Sequence, residues 1–245
     1  MIYLVLPAYN EEENLGELLG AAQRVFSADN RSYQVVLVDD GSRDGTLPLA
    51  EEWTERIPLR IVRHPVNQGL GPTLRDGLRA AAESAGNGDI VVAMDADNTH
   101  PPELVPPMAR LIDEGYDLVI ASRYQPGARV AGVSAFRRLL SWGANGLFRA
   151  TFPIPGVRDY TCGFRAYRGS LLRNAFERYG DSLVSEAGFQ STPDLLIKLA
   201  GLAPRATEVP IDLRYDRKRG ESKMRVAGTV GRTVGLIVRR RLNWR

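Results

Sequence analysis

Two acidic side chains, Asp95 and Asp97, stand one residue apart directly after the apolar run at 90–94. An apolar run of this length bounded by polar residues is typical of a buried strand. Two carboxylates at a strand end repel each other unless a cation lies between them. Mg²⁺ and Mn²⁺ take oxygen ligands, commonly one or two carboxylates plus substrate phosphates. We therefore predict a metal-bridged diphosphate site; the alternative is a solvated strand end that carries two acids by chance.

Strands and helices alternate around this acidic pair. Short apolar segments at 2–6, 34–38, 59–62, 89–94 and 117–121 predict five strands, and the segments between them predict helices. Pro7 is expected to end the first strand. Each strand is followed by polar or glycine residues, which favours an α/β fold with a mostly parallel, Rossmann-like sheet. Ligands bind such sheets at the carboxyl ends of the strands. Four groups of polar residues fall there: 7–11, 39–40, 95–97 and 122–123.

The pattern changes after residue 123. Phe136, Leu140, Leu147 and Phe148 lie at roughly helical spacing with arginines between them. Such a segment is either an amphipathic helix that meets a membrane surface or lipid chain, or an ordinary helix that faces the core. A further helix at about 193–200 and an edge strand around 208–211 are expected to follow.

Charge is distributed unevenly along the 245 residues. Residues 214–245 contain 11 Lys or Arg and 2 acids, a net charge of +9, whereas the other 213 residues contain 21 basic and 27 acidic residues, a net charge of −6. A basic tail on an acidic body indicates an anionic partner: a phosphate substrate, a membrane surface or nucleic acid. Nucleic acid is disfavoured because the basic residues are concentrated in one short segment without interleaved stacking aromatics. A tail that serves only solubility is the alternative.

The remaining composition narrows the protein class. One cysteine, Cys162, excludes an internal disulfide and fits a reducing compartment; we interpret it as a small packed residue rather than a nucleophile. The sequence begins without the basic region of a secretory leader, so no leader is expected. Since no stretch of about 18 apolar residues exists, no membrane span is expected either.

Seven motifs occur in an order that resembles one enzyme family. They are PAYNE (7–11), DDGSRDGT (39–46), DADNTHPPE (95–103), ASRY (121–124), DYTCGFRAYR (159–168), EVPI (208–211) and RGESK (219–223). Together they resemble the inverting, nucleotide-sugar-dependent glycosyltransferases of family 2, and more closely the dolichol-phosphate or polyprenol-phosphate mannose synthases. The resemblance extends from Pro7 to Lys223, and the later motifs are the more specific ones.

The resemblance implies a GT-A fold, a GDP-mannose donor and Mg²⁺ or Mn²⁺ as cofactor. By motif, Asp95 and Asp97 would lie next to the metal, and Asp97 and Arg123 would act in catalysis. In some relatives a glutamine at the position of Thr99 completes the metal shell; threonine is a poorer ligand, so a water is expected there. The substrate-binding residues implied are Pro7, Tyr9, Glu11, Val38 and Asp40 for the nucleoside, Asp95, Ala96 and Asp97 beside the diphosphate, and Arg123, Arg217 and Lys223 toward phosphate.

The acceptor implied is a polyprenyl monophosphate. Because a phosphate oxygen is already an anion at neutral pH, its attack on the sugar requires no general base, and the electrostatic demand is to neutralise the departing diphosphate. A soluble hydroxyl acceptor would need a base, for which Asp159 and Asp194 are weak candidates. His100 is close enough in sequence to the acidic pair for a direct role, whereas His64 is interpreted as structural. Asp159 either orients substrate or caps a turn.

The expected organisation is a single GT-A domain at 1–223 with a nucleotide-binding part at about 1–123 and an acceptor-side segment at about 124–223. A basic C-terminal helix at 224–245 is expected to lie on a membrane surface. The enzyme is then cytoplasmic and peripheral at the cytoplasmic face, or is anchored by a partner protein. Two alternatives stay open: the same fold with UDP-glucose, another nucleotide sugar or a soluble acceptor, and a non-catalytic protein that binds anions or membranes.

Overall fold

The computed structural model describes residues 1–219 and 226–242. Strands and helices alternate through the first half of the chain as the sequence predicts. The strands are β1 (Ile2–Ala8), β2 (Tyr33–Asp39), β3 (Leu59–Arg63), β4 (Ile90–Ala93) and β5 (Leu118–Ser122). The helices between them are α1 (Glu12–Ala28), α2 (Thr46–Trp53), α3 (Leu70–Ser84) and α4 (Val105–Asp113), and a 3₁₀ turn at Pro102–Leu104 precedes α4.

The second half adds strands to the same sheet and helices around it. The strands are β6 (Arg129–Ala131), β7 (Arg165–Arg168), β8 (Ala206–Pro210) and β9 (Asp212–Arg214). The helices are α5 (Ala135–Thr151), α6 (Gly169–Tyr179), α7 (Ser191–Ala200) and α8 (Val226–Arg241), with 3₁₀ turns at Gly180–Val184 and Tyr215–Arg217.

The main sheet has seven strands in the order β3-β2-β1-β4-β7-β5-β8. All neighbouring pairs are parallel except those made by β7, which runs antiparallel to both β4 and β5. The central strands are buried on both faces, as expected for a parallel sheet covered by helices. β8 lies at the edge, which confirms the edge strand predicted around 208–211. A separate parallel pair is formed by β6 and β9.

One expectation about the strands is wrong, and one strand was missed. Pro7 does not end β1, which continues to Ala8. Val5 accepts a hydrogen bond from Met94 on the β4 side, and Pro7, two residues on, faces the same side beyond the end of the β1–β4 ladder. Its missing N–H therefore costs no ladder bond. β7 was not predicted, because its four residues, two of which are arginine, lack a strand-like apolar pattern.

α5 faces two ways. Phe148 is buried in the core, whereas Leu139, Trp142 and Leu147 are exposed; the side chain of Phe136 lies outside the described part of the chain. α8 similarly buries Leu236 and Ile237 and exposes other apolar side chains: Val234, Val238 and, just beyond the helix, Leu242. Phe148 thus confirms that one side of α5 faces the core, and contact of the exposed side with a membrane or lipid stays a prediction. Within residues 1–219 and 226–242, the helices are too short or too polar to cross a bilayer.

Candidate active site

The carboxyl ends of β1, β2, β4 and β5 lie along one edge of the sheet, and polar residues follow each of them. Glu11 follows β1, Asp40 follows β2, Asp95 follows β4 and Arg123 follows β5. Because β7 runs antiparallel between β4 and β5, its amino end reaches the same edge. The DYTCGF segment that enters β7 is thereby brought beside the acidic pair.

Asp97 is oriented by a tight turn. Its Oδ1 accepts hydrogen bonds from the Thr99 amide at 3.2 Å and from the Thr99 hydroxyl at 2.7 Å. Asn98 between them has a left-handed φ of 61°, a conformation that asparagine tolerates better than most residues. Thr99 is buried, and its hydroxyl donates to Asp97. This geometry gives Thr99 a positioning role and leaves Oδ2 of Asp97 as the oxygen with capacity for a further cation.

A lysine that sequence reasoning missed contacts that oxygen. Lys218 Nζ lies 2.7 Å from Asp97 Oδ2, and the two side chains are 15% and 12% exposed. Burial opposes the charged form of each group, but their mutual attraction is stronger: the pKa of Asp97 is lowered and that of Lys218 is raised. Glu11 and Asp95 reinforce the charge of Lys218. Both groups therefore remain ionised at neutral pH.

His100 supports Asp95 from the buried side. Its Nδ1 accepts a hydrogen bond from the Asp95 amide at 3.1 Å, so a neutral ring carries its proton on Nε2, which lies 4.0 Å from Asp95 Oδ2. The ring stacks on Phe164 at a centroid distance of 5.2 Å. Partial loss of hydration, reinforced by Asp97, raises the pKa of Asp95, although 44% of its side chain remains exposed. His100 thus fixes the backbone of the acidic pair and faces one of its carboxylates.

The two carboxylates fit a divalent cation that substrate phosphates help to hold. In the described residues no three His, Cys, Asp or Glu side chains form a metal cluster. Two carboxylates are nevertheless what a protein usually contributes to Mg²⁺ or Mn²⁺ that is bound together with a nucleotide. Phosphates and waters supply the other ligands. The ammonium group at Asp97 Oδ2 shows that this face of the pair receives positive charge. Asp95 and Asp97 are the residues that would hold the ion.

Arg123 and Asp159 form a buried, bidentate ion pair beside the acidic pair. Arg123 Nε donates to Asp159 Oδ2 at 2.8 Å and Nη2 donates to Oδ1 at 2.7 Å. Thr161 and Ser141 accept further hydrogen bonds from the guanidinium. Burial opposes ionisation of both groups, but the pair overcomes it, so the pKa of Asp159 is lowered and that of Arg123 is raised. Asp159 is therefore an anionic anchor for Arg123 and is unavailable as a base.

The carboxylate of Asp40 accepts hydrogen bonds from the loop that precedes α3, in the region expected to hold the nucleoside. Asp40 accepts hydrogen bonds from the amides of Gln68 and Gly69 and lies 2.8 Å from His64 Nδ1. The other ring nitrogen of His64 lies 3.1 Å from Asp76. His64 is thus a buried structural residue, as interpreted from the sequence. Asp40 shapes the site through the backbone of the loop that leads into α3.

The other residues expected around the nucleoside differ in burial. Val38 and Ala96 are buried, and Pro7 and Tyr9 are half-buried. Glu11 is 8% exposed and accepts a hydrogen bond from Asn14 Nδ2 at 2.8 Å. Buried groups of this kind shape the floor of a site, whereas the half-buried ones can contact a ligand directly.

A basic segment at 215–219 follows β9, runs along this edge of the sheet and contacts α1. The Arg219 amide donates to Asn14 Oδ1 at 2.9 Å, and Asn14 Nδ2 donates back to the Arg219 carbonyl at 3.1 Å. On the other side, the Arg214 amide donates to the Thr99 carbonyl. Arg217 is exposed on this segment, and Lys223 lies outside the described residues. The fold therefore brings Arg217 near the acidic pair and places Lys218 on it.

Two adjoining cavities lie beside the segment that follows Arg123, and Tyr124 lines one of them. One has a volume of about 570 Å³ and the other about 330 Å³, and Arg149 and Arg158 line both. Tyr124, Trp142 and Ile154 contribute apolar surface, and the lining of both contains no acid. In the described part of the chain neither guanidinium forms an ion pair. Sequence reasoning missed Arg158, because nothing local distinguishes it from an ordinary surface arginine.

The remaining candidate base and the cysteine are not available for chemistry at this edge. Asp194 is buried and paired with Lys198 at 2.9 Å and Arg240 at 2.6 Å, which joins α7 to α8. Burial raises the pKa of Cys162 to about 12, so its thiol is neutral at physiological pH. Cys162 therefore agrees with its interpretation as a small packed residue, and Asp194, a weak candidate base, is held in ion pairs.

Comparison with known structures identifies the class of fold. Glucosyl-3-phosphoglycerate synthase from Mycobacterium tuberculosis, solved in complex with Mn²⁺, UDP and glucosyl-3-phosphoglycerate, superposes with a TM-score of 0.63. It is 23% identical, over 97% of this chain and 77% of that one. At this level of identity the likeness concerns the fold, which is the GT-A fold predicted from the sequence.

Sequence comparison identifies the family. The family model described as glycosyl transferase family 2 matches residues 3–176, well over half of the chain, so the protein belongs to that family of glycosyltransferases. A dolichol-phosphate mannosyltransferase from Pyrococcus furiosus is 33% identical over 91% of this chain, which spans 59% of that protein. An undecaprenyl-phosphate mannosyltransferase from Micrococcus luteus is 34% identical over 97% of this chain and 93% of its own length.

Proposed function

We propose that this protein is an inverting glycosyltransferase that moves mannose from GDP-mannose to a polyprenyl monophosphate, giving a β-linked polyprenyl-phosphate mannose and GDP. The observation that carries the proposal is the acidic pair Asp95 and Asp97 at the carboxyl edge of the sheet, with the buried Arg123–Asp159 pair beside it. The names of two relatives that match most of this chain support mannose as the sugar and a polyprenyl phosphate as the acceptor.

On the donor side, the nucleoside lies between Pro7, Tyr9, Glu11 and the end of β2 at Val38 and Asp40. The diphosphate lies against Asp95, Ala96 and Asp97. A divalent ion bound there, Mg²⁺ or Mn²⁺, neutralises charge on the departing diphosphate. The backbone held by His100 and Thr99 fixes the two carboxylates before the donor arrives, which is the condition for electrostatic stabilisation at low reorganisation cost.

On the acceptor side, Arg123 presents its guanidinium to the acceptor phosphate. Its geometry is set by Asp159, Thr161 and Ser141, so it does not have to be ordered when substrate binds. Arg217 of the basic segment adds positive charge, and by its motif Lys223 is expected to do the same. A phosphate ester remains anionic at neutral pH and needs no base to activate it.

The transfer step balances without a proton transfer. A phosphate oxygen of the acceptor attacks the anomeric carbon from the face opposite the diphosphate and forms the new C–O bond. The bond between that carbon and the diphosphate oxygen breaks, and GDP leaves with the electron pair. The cationic residues of this chain orient the two anions and offset the repulsion between them. The buried state of Asp159 and Asp194 agrees with a mechanism that needs no carboxylate base.

The two arginine-lined cavities beside Tyr124 support an acceptor that combines an anion with an apolar chain. Arg149 and Arg158 offer charge, and Trp142 and Ile154 offer apolar surface; Tyr124, the residue after Arg123, lines the smaller cavity. We assign residues 1–123 to the nucleotide-binding part and 124–223 to the acceptor side of one domain. Residues 224–245 are the basic end of the chain, within which α8 runs from Val226 to Arg241.

We also propose that the protein works peripherally, at the cytoplasmic face of a membrane. The exposed apolar side chains of α5 and the end of α8 are accompanied by exposed arginines: Arg138 and Arg149 on α5, and Arg241 on α8. This combination suits a surface of anionic lipids. A membrane-anchoring partner protein is compatible with the same surface.

The experiment is sugar transfer from radiolabelled GDP-mannose to a short polyprenyl phosphate, with Mg²⁺ or Mn²⁺ and with excess EDTA. We expect metal-dependent label in the organic phase. Label from UDP-glucose but not from GDP-mannose would keep the fold and the acceptor and discard the mannose donor. Label only on a soluble acceptor would discard the lipid. Binding of anionic vesicles without turnover of any nucleotide sugar would favour a non-catalytic binding protein.

A further inference from the structure

The ammonium group of Lys218 occupies the oxygen of Asp97 that a divalent ion would use. Oδ1 of Asp97 already accepts two hydrogen bonds from Thr99, which fills its lone pairs. Oδ2 is therefore the oxygen that remains for a metal ion, and Lys218 Nζ lies 2.7 Å from it. Two cations that share one oxygen repel each other strongly at such a separation, the more so in a site largely removed from water.

The position of Lys218 is fixed by the segment that carries it. The Lys218 amide donates to the Tyr215 carbonyl, and the next residue, Arg219, exchanges two hydrogen bonds with Asn14 of α1. With 15% of its side chain exposed, Lys218 is not a loosely solvated surface lysine. Its contact with Asp97 also joins residues 121 positions apart in the chain. The contact between the basic segment and the acidic pair is therefore held in place by the fold.

We propose that Lys218 is a placeholder cation, which neutralises Asp97 in the metal-free enzyme and must leave that oxygen when the donor and its divalent ion bind. This inference rests on the metal assignment made for the proposed function, and it adds a residue that the motifs did not assign. Metal binding to the free protein is opposed by the lysine. When a nucleoside diphosphate is present, it supplies new negative charge to which the displaced ammonium group can move.

Two consequences follow for the order of binding. The free protein has a low affinity for a divalent ion, because the ion must first displace Lys218. The nucleotide raises that affinity, and by linkage the metal raises the affinity for the nucleotide by the same factor. A protein without the lysine charge binds the metal better on its own and shows less of this coupling. Lys218 therefore favours joint binding of nucleotide and metal over binding of metal alone.

The test is titration of the full-length protein with Mn²⁺ in the absence of nucleotide, with free Mn²⁺ measured by electron paramagnetic resonance. Lys218→Met removes the charge and keeps the length of the side chain, and Lys218→Arg keeps the charge. Arg219→Gln is the matched control, since it makes the same charge change one residue away on a side chain that is 64% exposed. Lys218→Gln provides a second neutral variant if the methionine variant does not fold, and thermal unfolding checks all of them.

We expect Lys218→Met to bind Mn²⁺ at least tenfold more tightly than the wild type, and Lys218→Arg and Arg219→Gln to stay within about threefold of it. Adding Asp97→Ala to Lys218→Met should abolish the gain. Adding GDP should tighten Mn²⁺ binding by a larger factor in the wild type than in Lys218→Met. Equal Mn²⁺ affinity of wild type and Lys218→Met would overturn the inference, and so would an equal gain in Arg219→Gln. Since this assay involves no sugar transfer, either result leaves the proposed activity to its own test.

Discussion

The buried pair of Arg123 and Asp159 makes Asp159→Asn a strongly destabilising substitution. The Asp159 carboxylate is fully buried and accepts six hydrogen bonds: two from the guanidinium of Arg123, three from the amides of Arg123, Thr161 and Cys162, and one from the Thr161 hydroxyl. An asparagine keeps the shape but turns an N–H group toward donors and leaves Arg123 without its counter-charge. Breaking a buried pair by removing one partner costs about 3–5 kcal/mol. We expect a loss of that size in the free energy of unfolding.

Urea denaturation at pH 7 measures this loss, with Asp212→Asn as a control. Asp212 is exposed, so its substitution should change the free energy of unfolding by no more than about 0.5 kcal/mol. The difference between wild type and Asp159→Asn should also depend on pH. The pKa of Asp159 is lowered below its value near 3.9 in an unfolded chain, so its contribution is complete above about pH 4 and is lost as pH falls through the folded-state pKa.

A loss of less than about 1 kcal/mol for Asp159→Asn at pH 7 would refute this reasoning. So would a difference between the two proteins that stays constant from pH 7 to pH 3. Either result would mean that Arg123 finds water or another partner when Asp159 loses its charge, and that Arg123 is less rigid than the proposed role in acceptor binding requires.

Three further predictions follow from the packing and from the acceptor side. Gly77→Ala should lower the free energy of unfolding by about 1–3 kcal/mol in urea, because the added Cβ would lie only 2.6 Å from Val5 Cγ1. Cys162, with a pKa of about 12, should react with iodoacetamide at pH 8 much more slowly than free cysteine until the protein is unfolded; fast labelling of the native protein would contradict the buried, neutral thiol. Replacing both Arg149 and Arg158 by Gln should raise KM for polyprenyl phosphate about tenfold or more and leave KM for GDP-mannose unchanged; equal effects on the two would contradict the acceptor assignment of the cavities.

The local part of the architecture could be predicted from the sequence. β1 to β5 and the helices between them come from apolar runs and helical periodicity, both of which are properties of short windows. The position of the polar residues at one edge of the sheet could also be predicted, since parallel strands place their carboxyl ends together. β7 could not be found this way: its antiparallel insertion between β4 and β5 depends on distant partners, and Arg165 at its start is fully buried with hydrogen bonds to the Thr192 and Tyr160 carbonyls.

The contacts within the site depend on long-range packing, which the motifs alone did not reveal. Asp97 and Asp159 were both identified as candidates, but their partners were not. Lys218 lies 121 residues from Asp97, in a run of three basic residues in which the motifs gave a role to Arg217 and none to Lys218. Arg123 and Asp159 are 36 residues apart and were assigned separately, to phosphate binding and to a turn or substrate contact. Pairing of this kind is decided by the fold.

The most direct measurement of the central claim is the activity of Asp97→Ala in the organic-phase transfer assay, alongside wild type and with the native fold of the variant confirmed by circular dichroism. If Asp97 holds the divalent ion against the donor diphosphate, the folded variant should transfer no measurable mannose to polyprenyl phosphate. A folded Asp97→Ala protein that transfers mannose at a rate comparable to wild type would contradict the assignment of Asp95 and Asp97 as the metal and diphosphate site.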